Sequence, residues 1–470
     1  MTKIRFYFIF LVLFFLTACF SYEHLPEKKN EDESQVVIYL QPMPQEASRL
    51  RFIIDDIYAV RDDGFQIPFT LFVHEIKGAD LTQLQKRLAR AWLPEGMYTG
   101  ILIRIKKAFL KGEEGESSLL VPEKPIMVEH SFRVLPKTAQ ALFLSFKEKG
   151  AIAADGIRFT PGFSLAVSKK VLTDLTGYVS EFDSDTITVF NKNAMQVVGM
   201  ISTGKKPMGM VLDQTRRRAY VAASGDDAVE VIDVTLGSIV GRISLNFQDR
   251  PIDLSLTPNG RTLVSVDYGS NTVSLIDAIS GFQISRIRVG EGPVSAVVDS
   301  SGLRAYIMNS LSNDISVVDL AQQSVSAAIG IEGSPLRGAF NRNGDRLYVI
   351  TADSPYLFVI DPKRLIVIDK VFIGTGALSI KLDTRTGLVM VGKKAGDEIS
   401  VIDPFSLAVI DSIWTDGNAS FMTIDDDENC LFAALSDKRA VLKFNLTSKK
   451  KIAEIEVGEG AYAVVVMGER

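Results

Sequence analysis

Val273-Ser-Leu-Ile-Asp277 is a short apolar run closed by a carboxylate, and the chain writes it again and again. It recurs as Ile187-Thr-Val-Phe-Asn191, Val229-Glu-Val-Ile-Asp233, Ile315-Ser-Val-Val-Asp319, Leu357-Phe-Val-Ile-Asp361, Ile399-Ser-Val-Ile-Asp403 and Val441-Leu-Lys-Phe-Asn445. The closing Asp or Asn advances by 42, 44, 42, 42, 42 and 42 residues. A period near 42 that carries short strands and turn residues predicts a β-propeller with one blade per repeat. The expectation is an all-β protein, with seven blades over residues 175–470 behind an N-terminal β-sandwich over residues 36–168. The period fixes architecture and leaves function to the loops.

One unit shows the predicted blade. Ser295-Ala-Val-Val-Asp299 reads as the first strand, Ala305-Tyr306-Ile307-Met308 as the second, Ile315–Asp319 as the third and Val325-Ser-Ala-Ala-Ile329 as the outer fourth. Gly333-Ser334-Pro335 then crosses to the next blade, as do Gly290-Glu291-Gly292-Pro293, Pro251 and Pro207 elsewhere. With Ala219-Tyr220-Val221 and Asn271-Thr272-Val273, these units resemble the YVTN family of β-propeller repeats. The recurrent Asp ends the third strand, where its carboxylate can accept N–H groups of the following turn. Its presence in every unit argues for structure over chemistry. The first unit opens on a second-strand pattern, Gly177-Tyr178-Val179, and the chain closes on a first-strand pattern, Ala461-Tyr462-Ala463-Val464-Val465-Val466. The terminal strand is therefore expected to complete the first blade and remove an open edge.

Ahead of the repeat stands an address. Lys3 and Arg5 precede an apolar run from Phe6 to Leu16, which is signal-like and shorter than the ~20 residues of a membrane span. Leu16-Thr17-Ala18-Cys19 resembles a bacterial lipobox. The resemblance implies a lipoprotein signal peptide at 1–18, cleavage before Cys19, lipidation of its sulfur and acylation of the new N-terminus. Several acyl chains give stable anchoring. Phe20, in place of the Asp that often retains lipoproteins on the inner membrane, is compatible with the outer membrane. Residues 19–35 are polar, with Glu27-Lys28-Lys29-Asn30-Glu31-Asp32-Glu33-Ser34, and read as a flexible tether.

Residues 36–168 are strand-like, in Val36–Leu40, Arg49–Ile54, Phe69–Val73, Ile101–Ile105, Phe132–Val134 and Ala141–Phe146. Runs bounded by Gly, Pro and Asp predict an antiparallel sandwich. Leu81, Leu84 and Leu88 fall at i, i+3 and i+7 and predict one short helix. Trp92-Leu93-Pro94-Glu95-Gly96-Met97-Tyr98 then turns back into a strand. The order, closing on Thr160-Pro161-Gly162-Phe163, resembles an uncharacterised lipoprotein domain with a transthyretin-like sandwich. That resemblance implies a structural or adhesive module without catalytic residues.

Chemistry-bearing patterns are sparse. The net charge is −5 with no basic block, which excludes a nucleic-acid footprint. Two cysteines, Cys19 and Cys430, make no disulfide framework. His74 and His130 sit in or beside strands and read as structural; His74-Glu75 lacks a second His at helical spacing. At fold level the ring resembles the haem-binding propellers of nitrite reductases and the propeller lactonases. No histidine follows His130, so the ring has no imidazole for haem or zinc and lacks the commonest general base. The only ring tryptophan is Trp414, unlike the tryptophan-patterned quinone-dependent dehydrogenase propellers. Cys430, beginning a second strand, reads as a packed thiol. Asp425-Asp426-Asp427-Glu428 lacks the spacing of a calcium loop and reads as a solvated turn. No metal or cofactor is expected.

The remaining candidate is one face of the ring, where second-to-third-strand turns meet the blade crossings. It would present Lys205, Lys206, Asp249, Arg250, Tyr268, Asn271, Glu291, Asn313, Tyr356, Lys394, Asp397, Asn418 and Arg439. Mixed charge with two tyrosines suits contact with a protein or glycan. The leading expectation is a monomeric, lipid-anchored envelope protein, at the outer membrane, that binds such a partner. Against it stand a hydrolase of the lactonase type, using channel residues such as Asp249 and Arg250, and a surface-layer or adhesion spacer.

Overall fold

The computed structural model describes residues 32–167, 172–394 and 396–469. The predicted leader, Cys19 and most of the tether lie outside them. The first strand starts at Ser34, inside the stretch expected to be tether. Apart from short 3-10 turns, the described elements are strands.

Two sheets make the N-terminal unit. One runs Gly162–Val167, Ala139–Lys147, Ser34–Leu40, Lys86–Leu93, Thr70–Leu71. The other is built on the long hairpin of Leu50–Arg61 with Gly96–Lys111. They enclose one apolar core that includes Phe52, Ile103, Phe132, Leu142 and Phe146. The first sheet is mixed, a departure from the antiparallel expectation: Ser34–Leu40 runs parallel to Ala139–Lys147. Parallel neighbours need a long crossover, and the second sheet is made from the chain between them.

The predicted helix is absent. Gly78–Leu81 is a 3-10 turn and Lys86–Leu93 is a strand. Leu81 and Leu88 are buried in the core, but Leu84 is 37 % exposed, so the three leucines share no helical face. The continuously apolar run Val36–Leu40 is explained by two covered faces. Val36, Ile38 and Leu40 point into the unit's own core. Val37 and Tyr39 point out, against Val197 and Met200 of the ring.

Seven four-stranded antiparallel sheets follow. Those of blades 2 to 7 start at Pro207, Pro251, Pro293, Pro335, Ala377 and Ala419. Blade 1 takes Thr176–Glu181, Thr186–Asn191 and Gln196–Ser202, and its innermost strand is the terminal Ala461–Val466. The registers Gly177↔Val466 and Val179↔Val464 show the expected splice. An apolar cluster fills the seam between each blade and the next, including the seam from blade 7 back to blade 1.

The phrase-ending residues do the job predicted for them. In all seven, Asn191, Asp233, Asp277, Asp319, Asp361, Asp403 and Asn445, the side chain accepts the N–H groups two and three residues on, at 2.8–3.4 Å. The acidic turn after blade 7's first strand is a different matter from the expected solvated loop. Asp425 is buried and accepts the ammonium of Lys192, itself 1 % exposed, at 2.9 Å. The same ammonium donates to the Met467 carbonyl at 2.6 Å, tying blades 1 and 7 to the terminal segment. Glu428 takes the ammonium of Lys443. Cys430 is a buried thiol, pushed up by burial. His74 Nδ1 lies 3.2 Å from the Ile54 carbonyl oxygen.

Candidate functional site

The loop face is stitched from blade to blade. The residue before each third strand in blades 1 to 4 adopts a left-handed conformation: Asp185, Asp227, Asn271 and Asn313, with φ of 54°, 49°, 55° and 55°. Short polar side chains tolerate that region best. Their oxygens reach into the following crossing. Asp185 accepts the Lys206 N–H at 2.8 Å, Asp227 that of Arg250 at 2.8 Å, Asn271 that of Gly292 at 2.9 Å and Asn313 that of Ser334 at 2.8 Å. Asn271 and Asn313, read from sequence as contact residues, are thus structural.

Asp249 also leaves the contact set. It is fully buried beneath the blade 2–3 crossing, 2.5 Å from Arg286 Nη2, and it accepts the Asn246 N–H at 2.9 Å. Burial alone would raise its carboxyl, but the hydrogen bonds from Arg286, Ser270 and Asn246 together outweigh that and hold it below the usual range. Asp397 and Arg439, the residues before the third strands of blades 6 and 7, are left-handed too, with φ of 49° and 52°. The N–H of Asn418 donates to Asp437 at 3.1 Å, that of Lys394 to the Gly376 carbonyl at 2.7 Å, and that of Glu291 to Ser312 at 2.9 Å. Tyr356 packs edge-on against Phe372. Side chains open to solvent on this face include Lys205, Lys206, Arg250, Tyr268 and Glu291.

The N-terminal unit docks on the rim of blades 7 and 1 through a buried ion cluster that sequence reading missed. Glu459, in the crossing from blade 7 to blade 1, lies 3.2 Å from Arg87 and 3.0 Å from Arg90, with Arg439 at 3.5 Å. Burial pushes this carboxyl up, but the two guanidiniums dominate and hold it down at about 2. A spacing of three would put Arg87 and Arg90 on opposite faces of a regular strand. A bulge against Ile38/Tyr39 resets the alternation, and both reach the ring. Lys86 pairs with Glu456, whose other oxygen accepts the Arg87 N–H at 2.9 Å. Between the units lies a cleft of about 560 Å³ whose lining includes Trp92, Asp185, Lys205, Asp226 and Arg242.

A second cavity, about 350 Å³, lies on the ring axis among the first strands. The second residue after each crossing is Gly209, Asp253, Ser295, Arg337, Ser379, Phe421 or Ala463. The Arg337 guanidinium extends over the Phe421 ring at 5.0 Å, donates to the Tyr462 hydroxyl at 3.3 Å and lies 4.0 Å from Asp253. Further along the axis Glu469 accepts the Thr423 hydroxyl at 2.7 Å, beside Lys381. Burial raises the carboxyls of both Asp253 and Glu469. Arg250 and Asp249, expected at the channel, are not among its lining residues. The hydroxyls of Ser295 and Ser379 are spent across the blade seams, donating to the Leu336 and Ala419 carbonyls at 2.6 Å each. A charged residue two places after a crossing was the available sequence signal for this site.

Comparisons with known proteins agree on the scaffold. A family model described as YNCE-like beta-propeller matches residues 164–469. No curated protein matches the chain. Among solved structures, a functionally unknown protein from Desulfotomaculum acetoxidans superposes with a TM-score of 0.56 at 15% identity, covering 62% of this chain and 98% of that one. Kuenenia stuttgartiensis hydrazine synthase gives 0.51 at 16% identity, over 55% and 88%. The dihydro-heme d1 dehydrogenase NirN, in complex with DHE, gives 0.51 at 13% identity, over 64% and 77%. At such identities the likeness concerns the fold alone.

Proposed function

This chain belongs to the YNCE-like beta-propeller family, and on that scaffold we propose that it works as a binding protein of the cell envelope, tethered to a membrane through a lipidated Cys19. The ring and the N-terminal unit act together as a platform for a protein or glycan partner. The observation that carries the reading is the welded interface with its open cleft. Arg87 and Arg90 of the N-terminal unit pair with Glu459 of the ring across the joint. The cleft beside them is lined by an indole, cations and carboxylates. Clefts between domains are preferred binding places, and Lys205 continues this one onto the loop face.

Asp249 and Arg250, the acidic and basic pair expected to carry hydrolysis, are not among the residues lining the channel cavity, and its serine hydroxyls are spent, which favours binding over hydrolysis. Neither Ser295 nor Ser379 is bonded to a general base; each bonds a backbone carbonyl instead. Two experiments test the proposal. Cells fed labelled palmitate are expected to yield a labelled chain in the membrane fraction, with the label lost in Cys19→Ala. A lactone screen of the purified protein is expected to show no turnover. An unlabelled wild-type chain would remove the tether from the proposal, and saturable lactone hydrolysis would replace it with the enzyme reading.

A further inference from the structure

We propose that the axial cavity of the ring is a binding site for a small organic monocarboxylate, gripped by Arg337. The guanidinium is held off the wall by ring contacts on two sides, at 5.0 Å from the Phe421 centroid and 5.8 Å from that of Tyr462. Those contacts fix its plane. Among the described residues its one hydrogen bond is to the Tyr462 hydroxyl, and Asp253 at 4.0 Å is beyond hydrogen-bonding reach. Most of the N–H fork therefore opens onto the cavity that Arg337 lines. A planar fork with unspent donors matches the two oxygens of a carboxylate.

The rest of the lining selects the ligand's body. Met210, Leu254, Val297, Phe340, Met422 and Val465 supply apolar wall. A volume of about 350 Å³ suits a molecule of modest size. The acidic side chains of Asp253, 4.0 Å from the guanidinium, and of Glu469, with Lys381 beside it, also line the cavity, and a second negative charge on the ligand would lie near them. An apolar monocarboxylate satisfies all three constraints. The inference stands apart from the envelope proposal, since it involves neither the cleft nor Cys19.

Benzoate, with neutral benzamide as its isostere, is the probe. Calorimetric titration of the purified full chain is expected to show benzoate binding at least about tenfold more tightly than benzamide. Arg337→Gln is expected to abolish the difference, and Arg337→Lys to restore only part of it. A melting curve of each variant checks folding. If Arg337→Gln does not fold, Tyr462→Phe decides: removal of the hydroxyl that positions the fork is expected to weaken benzoate severalfold and leave benzamide unchanged. Absence of benzoate binding, equal binding of the two probes, or benzoate affinity unmoved in the folded variant would overturn the proposal.

Discussion

Gln85 and Val197 are bonded to each other twice. The Gln85 amide nitrogen donates to the Val197 carbonyl at 3.1 Å, and the Val197 N–H donates to the Gln85 oxygen at 2.8 Å. The two residues lie 112 positions apart, one in the N-terminal unit and one on the outer strand of blade 1. A single side chain thus takes the place of a neighbouring strand at an open sheet edge, which is otherwise a site for unwanted pairing.

Replacing Gln85 by Ala is expected to strand both backbone groups of Val197 in a buried place. The cost is about 1–3 kcal/mol. Hydrogen exchange at Val197 should speed up in the variant, while exchange in blades 3 to 5 should not change. Unaltered protection at Val197 would show that the side chain does not cap the edge.

Glu459 makes the joint between the units sensitive to acid. Its carboxyl is held at about 2, against 4.5 in the unfolded chain. The folded state therefore binds this proton less readily. The stabilisation is complete above pH 4.5 and is lost as pH falls through about 2. Glu459→Gln leaves Arg87 and Arg90 buried without their counter-charge and is expected to cost about 3 kcal/mol at neutral pH. Denaturant unfolding of both proteins should show a gap at pH 7 that narrows toward pH 2. A gap independent of pH would contradict the assignment.

Asp267 works in the opposite direction. It is buried at the end of blade 3's second strand, accepting the Ser274 hydroxyl at 2.6 Å and that of Ser265 at 2.8 Å. Burial raises its carboxyl from 3.8 to about 7, the two hydroxyls offsetting only part of the rise. The folded state binds this proton more readily, so stability is full below pH 3.8 and declines as pH rises through about 7. Asp267→Asn removes the titration. Its melting temperature relative to wild type is expected to be higher at pH 8 than at pH 5. The same offset at both values would refute it.

Ring closure rests on the terminal strand and on Lys192. Removing residues 461–470 takes away the innermost strand of blade 1 and exposes an edge there. The truncated chain is expected to lose its cooperative melting transition. Lys192→Met leaves Asp425 buried without its partner and should cost about 3–5 kcal/mol. A truncated protein that melted at the parent temperature would contradict the splice.

The ring was legible because its signals are local. Each phrase-ending Asp or Asn bonds N–H groups two and three residues away, so the motif carries its own geometry. Closure could also be read, since Gly177-Tyr178-Val179 opens on a second strand whose partner had to come from the far end. The docking cluster was hidden for the opposite reason. Arg87 and Arg90 face the same way only because a bulge resets the strand, and their partner Glu459 is 372 and 369 positions away. The buried place of Asp249 was hidden in the same way, since its partner Arg286 lies 37 positions on, in the next blade. Arg337 follows a crossing proline like a surface residue, and only closing the ring puts it on the axis.

The cleft between the two units is where the binding account is most exposed to test. A photo-crosslinking amino acid at Lys205, in the cleft, is compared in living cells with one at Ser301, an exposed hairpin residue of blade 4. The account predicts a discrete adduct from position 205, lost on Trp92→Ala, and none from position 301. Identical adducts from both positions, or none from position 205, would contradict it.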